Sequence, residues 1–392
     1  MTSRGRAGLI ALGLAVLVIA GVLIKYREYY PYYPYIGWVK AAFPTQAAEM
    51  NEITLPPGFR IGVYAGDVPA ARQMALGPNG IVFVGSMGAG KVYALTGGNG
   101  DQRAKKVHVI ASDLKMPSGI AYRDGALYVA AINRILKFPD VARDLDRPPK
   151  AELVTDAYPS DTYHGWKFIA FGPGGRLYVP VGAPCNVCEV SGLHGTITRL
   201  DLGGGKPEIV ARGVRNSVGF DFHPQTRELW FTDNGRDLWG DDRPPDELNR
   251  LAKEGAHFGF PFCHGDGLAD DKYNAGKPCR DYTAPARLLG PHVAAIGMRF
   301  YTGQMFPEKY RNSIFIAEHG SWNRTTPIGY RVSFVKIDND KATSYEPFAS
   351  GWLKGGTASG RPADVLVMPD GALLVSDDKA GQIYRISYEG AR

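Results

Sequence analysis

Blocks of like charge are missing from this 392-residue chain: its 45 Lys and Arg and 39 Asp and Glu are interspersed, and the net charge is only +6. A nucleic-acid interface built on a basic stripe is thereby excluded. Cysteine is scarce, with four residues, too few for a fold held mainly by disulfides. Apolar runs long enough to cross a bilayer are absent after the first 25 residues, so the body of the chain lies on one side of any membrane it meets. Charged residues make up 21% and hydrophobic ones 44%, a balance that excludes wholesale disorder. What the chain has in quantity is Gly (49) and Pro (28), about a fifth of all positions against an average near 12%. Turn formers at that frequency argue against a helical bundle.

The single long apolar run, residues 7–24, follows Arg4 and Arg6 and precedes Lys25 and Arg27. Its length suits a transmembrane helix, and no small-x-small site closes it as a cleaved signal would. The expectation is an N-terminal anchor over 1–25, with a removed signal peptide as the alternative. The next segment, 26–50, is rich in Tyr with Pro31 and Pro34, and reads as an interfacial stalk. The body, 51–392, is then expected in the periplasm of a bacterial inner membrane. Cys185 and Cys188 in "PCNVC", with Cys263 and Cys279 further on, suggest local disulfides in an oxidising compartment. A zinc site is the rival, but 15 residues between the second pair is poor finger spacing.

One phrase recurs six times: an apolar strand, a Gly/Pro/Asp turn and a second apolar strand. The second strands centre on Phe83, Tyr128, Tyr178, Trp230, Phe315 and Leu374, at spacings of 45, 50, 52, 85 and 59 residues. Each spacing can hold a four-stranded blade, so the chain is expected to be all-β, a six-bladed propeller. The longest spacing contains Cys263 and Cys279, which predicts an insertion around 255–295. The segment "ITLPPGFRIGVYAG" is expected to supply the outer strand of the last blade.

Polar outliers cluster beside the repeats. His164 precedes the third repeat, Arg215 and Asn216 open the fourth, and Arg361 precedes the sixth; the fold places these at one end of the channel. Arg and Asn together suit an anionic, carbonyl-rich ligand. Asp233, Asp237, Asp241, Asp242, Asp246 and Glu247 crowd one Gly/Pro-rich stretch, where hard oxygen ligands could hold Ca²⁺ or acids could simply cap turns at a solvated rim. Asn323 and Arg324 follow the fifth-blade strand.

The motifs "HGWKFIAFGPGGRLYVPVGAPCNVCE", "GVRNSVGFDFHPQTRELWFTDNGRDLWGDDRPPDELNRL", "FIAEHGSWNR" and "GRPADVLVMPDGALLVSDD" resemble the quinoprotein glucose/sorbosone dehydrogenase family, in its sorbosone dehydrogenase branch. The resemblance implies a six-bladed propeller that oxidises an aldose or related sugar with pyrroloquinoline quinone (PQQ) held beside Ca²⁺. It implies His164 as general base and Arg215 as stabiliser of charge on the quinone. Asn216, Asn323, Arg324 and Arg361 would bind the cofactor. The carbonyls of Gly235 and Arg236, with the acidic loop of Asp241, Asp242 and Glu247, would serve calcium. A membrane quinone or cytochrome would take the electrons. The chain departs from the family pattern at Ala183, where an acid is expected, and at Ala363, where a second basic residue is expected. Two rivals remain: a calcium-dependent propeller lactonase and a non-catalytic propeller that binds a glycan or protein.

Overall fold

The computed structural model describes residues 50–97 and 102–390. The anchor and stalk expected over residues 1–49 lie outside the described residues. Among the described residues no helix is long and apolar enough to cross a membrane.

Six four-stranded antiparallel sheets form the six blades of a propeller. The second strands are Val82–Ser86, Ala126–Ala131, Leu177–Val181, Leu229–Asp233, Ile314–Glu318 and Leu373–Asp377, and each contains the residue on which the sequence repeat was centred. Side chains alternate across a strand, and here both faces meet a neighbouring blade. Val82 and Val84 pack towards Leu374 and Ile383 of blade 6, whereas Phe83 packs towards Leu127 and Val129 of blade 2. Tyr128 and Ala130 in turn face Leu177 and Val179 of blade 3. Burial on both faces explains why the second strands open on consecutive apolar residues.

Blades 1 to 5 are built in chain order; blade 6 takes its outer strand, Phe59–Ala65, from the start of the described chain. That strand pairs antiparallel with Gln382–Tyr388, Phe59 opposite Tyr388, and the ring is closed as the sequence suggested. Phe59 also plugs the wedge between blades 5 and 6, its ring centroid 4.7 Å from that of Phe306 and 5.0 Å from that of Phe348. Residues 252–286 are inserted between the third strand of blade 4, Pro245–Leu251, and its outer strand, Arg287–Pro291. They carry a short hairpin and the Cys263–Cys279 disulfide; Cys185 and Cys188 form the second.

Around the axis, inner strands of neighbouring blades approach too closely for side chains at some positions. A Cβ at Gly219 would stand 2.0 Å from the Ile296 carbonyl oxygen, and one at Gly119 would stand 2.7 Å from that of Lys167. Polar side chains pin the strands there. Gln73 of blade 1 accepts hydrogen bonds from Ile120 and Ile169 backbone N–H of blades 2 and 3 at 3.0 and 2.9 Å, and Asp364 of blade 6 accepts one from Met74 N–H at 2.8 Å. The inner strands are therefore closely packed and cross-linked around the axis.

Candidate active site

The second strands of blades 4 and 6 end in buried acids, Asp233 and Asp377, and each acid holds the loop that leads into its inner strand. Asp233 accepts hydrogen bonds from the backbone N–H of Arg215 at 2.8 Å and of Asn216 at 2.6 Å. Asp377 accepts them from Arg361 at 2.9 Å and from Lys379 and Ala380 at 3.0 and 2.9 Å. The same device thus presents Arg215 and Arg361 at one end of the channel.

His164 lies at that end, buried, with a left-handed backbone at φ 50°, a conformation that His adopts more readily than most residues. Its Nδ1 lies 2.9 Å from the Ala183 carbonyl oxygen. A carbonyl only accepts, so Nδ1 carries the proton and the lone pair resides on Nε2, for which no described residue serves as partner. The Ala183 carbonyl occupies the supporting place for which the family pattern led us to expect a carboxylate. Burial, then the charge of Arg215, holds the His164 pKa well below its ordinary value, so the ring is neutral and its lone pair available at neutral pH. Gly182 permits the arrangement: a Cβ there would stand 2.5 Å from His164 Cβ and 3.2 Å from Asn216 Oδ1.

Arg215 is 3% exposed, with four of its five N–H donors engaged. Its Nε donates to the Asn186 carbonyl at 2.8 Å, Nη1 to the Asn234 carbonyl at 3.1 Å, and Nη2 to Asn186 Oδ1 at 2.9 Å and Asp237 Oδ2 at 2.8 Å. Burial opposes its charge, but Asp237, Tyr163 and Asp233 outweigh that and hold it firmly protonated. Asn323 joins the cluster, donating to the other Asp237 oxygen at 3.2 Å, while its own Oδ1 is buried without a partner among the described residues. Arg361 is fixed by donation to the His319 and Gly320 carbonyls at 2.9 and 2.7 Å.

Other expected residues go elsewhere. Arg324 bonds the Asp241 carbonyl and faces Asp242, whose side chain is 91% exposed. Glu247 turns inward, accepting from Gly265 N–H at 2.7 Å and Asn249 Nδ2 at 3.0 Å. Burial, then Asp233, pushes the Glu247 carboxyl up to about 8, and burial pushes Asp246 up to about 7. The Arg236 side chain pairs with Asp270 of the insertion at 2.5 Å. Hence Asp241, Asp242 and Glu247 do not form one cation cage, and among the described residues no three His, Cys, Asp or Glu side chains converge to hold a metal. The Gly235 and Arg236 carbonyls, by contrast, accept no hydrogen bond from a described residue.

Several residues here had no role assigned to them from the sequence. Arg72, Asp378 and His319 form a buried triad, with Asp378 2.8 Å from Arg72 Nη2 and 2.9 Å from His319 Nε2; burial and then the Arg361 charge hold the His319 pKa down at about 3. Lys167, also buried, donates to the Gly165 carbonyl at 2.7 Å, and burial lowers its pKa to about 8. Asn186, the clamp on Arg215, sits between Cys185 and Cys188, and that position was the one signal the sequence offered.

The family model described as "Glucose / Sorbosone dehydrogenase" matches residues 149–385. The chain belongs to the glucose/sorbosone dehydrogenase family. No comparison specifies the sorbosone branch. A relative from Borreliella burgdorferi, described as an uncharacterized protein, is 35% identical over 362 residues, spanning 88% of this chain and 94% of that one. Among solved structures, the Trichoderma reesei carbohydrate-active enzyme of family AA12 superposes with a TM-score of 0.75 at 20% identity, over 88% of this chain and 98% of that one. The PQQ domain of a Coprinopsis cinerea pyranose dehydrogenase, in its holo form, does so at 0.70 and 18% identity, over 86% and 97%. At these identities the structural likeness establishes the propeller fold, and the family match places this chain among sugar dehydrogenases.

Proposed function

We propose that the protein is a PQQ-dependent dehydrogenase that oxidises a hydroxyl of an aldose or related sugar. The observation that carries this reading is the His164 ring: Nδ1 is tied to a carbonyl, Nε2 is bare, and a held Arg215 shares the channel mouth. A neutral imidazole so placed can accept the hydroxyl proton as the C–H bond breaks. PQQ, when bound, would supply the acceptor for the two electrons and the carbinol hydrogen. Arg215 would stabilise negative charge developing opposite the base, with Asn216 beside it. Arg361 and the unpartnered Oδ1 of Asn323 suit a ligand with several carboxylates and ring N–H groups. Fixed donors of this kind need no reorganisation when charge develops.

Calcium enters this reading in a restricted form. A hard cation would rest on the Gly235 and Arg236 carbonyls and on oxygens of the ligand, rather than on Asp241, Asp242 or Glu247. The same dispersal of carboxylates weighs against a lactonase, which needs several of them on one metal to polarise a carbonyl and activate water. Pairing of all four cysteines supports a body outside the cytoplasm. The apolar run 7–24 would tether it beside a membrane quinone or cytochrome acceptor, and protease shaving of spheroplasts tests that orientation.

The deciding experiment is titration of the full-length chain with PQQ in the presence of Ca²⁺, following the cofactor spectrum and then dye reduction on a panel of aldoses. Saturable uptake with sugar-dependent reduction is expected. Absence of uptake by folded, calcium-supplied protein would reject the reading, and lactone hydrolysis without PQQ would replace it.

A further inference from the structure

The Arg215 guanidinium is reached from outside its own blade by one side chain that no function so far explains. Asn186 gives it two of its four acceptors, the backbone carbonyl at 2.8 Å and Oδ1 at 2.9 Å. The same Oδ1 accepts from Asp237 N–H at 2.8 Å, and Asn186 Nδ2 donates to the Asp237 carbonyl at 3.0 Å. Asn186 therefore orients both Arg215 and the carboxylate that neutralises it. The residue lies in the loop after the second strand of blade 3, a place where backbone would ordinarily be free to move. Here the Cys185–Cys188 bond closes a four-residue ring around it, which reduces the conformations open to Asn186 before Arg215 is engaged.

We infer that Asn186 is a positioning residue for Arg215, delivered to it by the Cys185–Cys188 ring. This rests on the reading of Arg215 as the charge-stabilising group of the reaction. A guanidinium that must meet charge as it develops is effective only when already oriented, because its reorganisation would otherwise be added to the barrier. The side-chain half of the clamp is removed by Asn186→Ala, which leaves the backbone carbonyl and the disulfide in place. The backbone half is loosened by the double variant Cys185→Ser/Cys188→Ser, which leaves the amide.

The test is residue-resolved phenylglyoxal labelling of the full-length, cofactor-free protein, with Arg361 as internal reference. In the native protein Arg215 is 3% exposed and should label slowly. Loss of one charge-assisted hydrogen bond predicts roughly ten-fold faster labelling of Arg215 in Asn186→Ala, with Arg361 unchanged. The double cysteine variant should shift Arg215 in the same direction. In the PQQ-loaded enzyme, Asn186→Ala should lower kcat by roughly ten-fold with KM unchanged, as expected for an interaction realised in the transition state. Unchanged Arg215 labelling in Asn186→Ala overturns the positioning role, and unchanged labelling in the cysteine variant removes the disulfide from it. Failure of the native chain to take up PQQ would reject the proposed function instead, since the labelling does not depend on the cofactor.

Discussion

Replacing His164 with Asn separates the chemistry of the ring from the shape of its backbone. The residue sits at φ 50°, where Ala would be strained and Asn is tolerated, so His164→Asn removes Nε2 while keeping the loop. General-base catalysis contributes roughly 10²–10⁴-fold, which corresponds to about 3–5 kcal/mol of barrier. The expected result is a fall in kcat of that size with PQQ uptake unchanged, measured by dye reduction and by the cofactor spectrum. The pH profile adds a sharper condition. Burial and the Arg215 charge both disfavour imidazolium, so the His164 pKa lies well below 6.5; lowering the pH to about 6.5 should leave the native rate flat with respect to this group. An acidic limb at pH 6.5 or above that disappears in His164→Asn would refute the buried, neutral assignment. A variant within about threefold of native turnover would remove His164 from the chemistry.

Gly182→Ala places a methyl 2.5 Å from His164 Cβ and 2.8 Å from its carbonyl oxygen; overpacking of this kind costs about 1–3 kcal/mol, and turnover should fall at least roughly ten-fold as His164 and Asn216 are forced apart. Phe59→Ala should lower unfolding free energy by about 3–5 kcal/mol, read by denaturant titration, because the ring lies against Phe306, Tyr310 and Phe348. Glu247→Gln tests the buried acids. The Glu247 carboxyl is raised from 4.5 to about 8 by burial and by Asp233, so the folded state retains a proton that the unfolded chain has released, and native stability declines as pH rises between those values. The melting temperature of the variant relative to native should therefore increase from pH 5 to pH 8; a difference independent of pH would show that Glu247 is ionised in the fold.

The propeller was legible because each blade repeats its second strand, and Phe83, Tyr128, Tyr178, Trp230, Phe315 and Leu374 all fall inside those strands. Closure by Phe59–Ala65 was also legible, since an apolar strand before the first repeat has no other partner. The site was read more coarsely. Placement of His164, Arg215, Asn216 and Arg361 at one end followed from their position before inner strands. What each side chain touches did not follow, because the partners are distant in sequence: Arg72 pairs with Asp378, Arg236 with Asp270, and Asn323 with Asp237. The crowded acids misled for a related reason. Adjacency in sequence suggested a shared cation, whereas Glu247 lies in the third strand and is buried in the blade, and Asp242 lies in the turn before it and is left in solvent.

Closure of the ring also orders events in the life of the chain. Of all the propeller strands, Phe59–Ala65 is synthesised first, and its partner, Gln382–Tyr388, is synthesised last. During translation the early strand has no edge to join, and the arc of blades 1 to 5 has an open flank at each end until blade 6 is assembled. Loop-closure entropy across that separation makes the last pairing slow compared with assembly within a blade. The vulnerable interval lies between completion of blade 5 and annealing of this pair, when the unpaired edges can capture a second chain. A ribosome stalled a few residues before Tyr388 would hold the molecule in that open form.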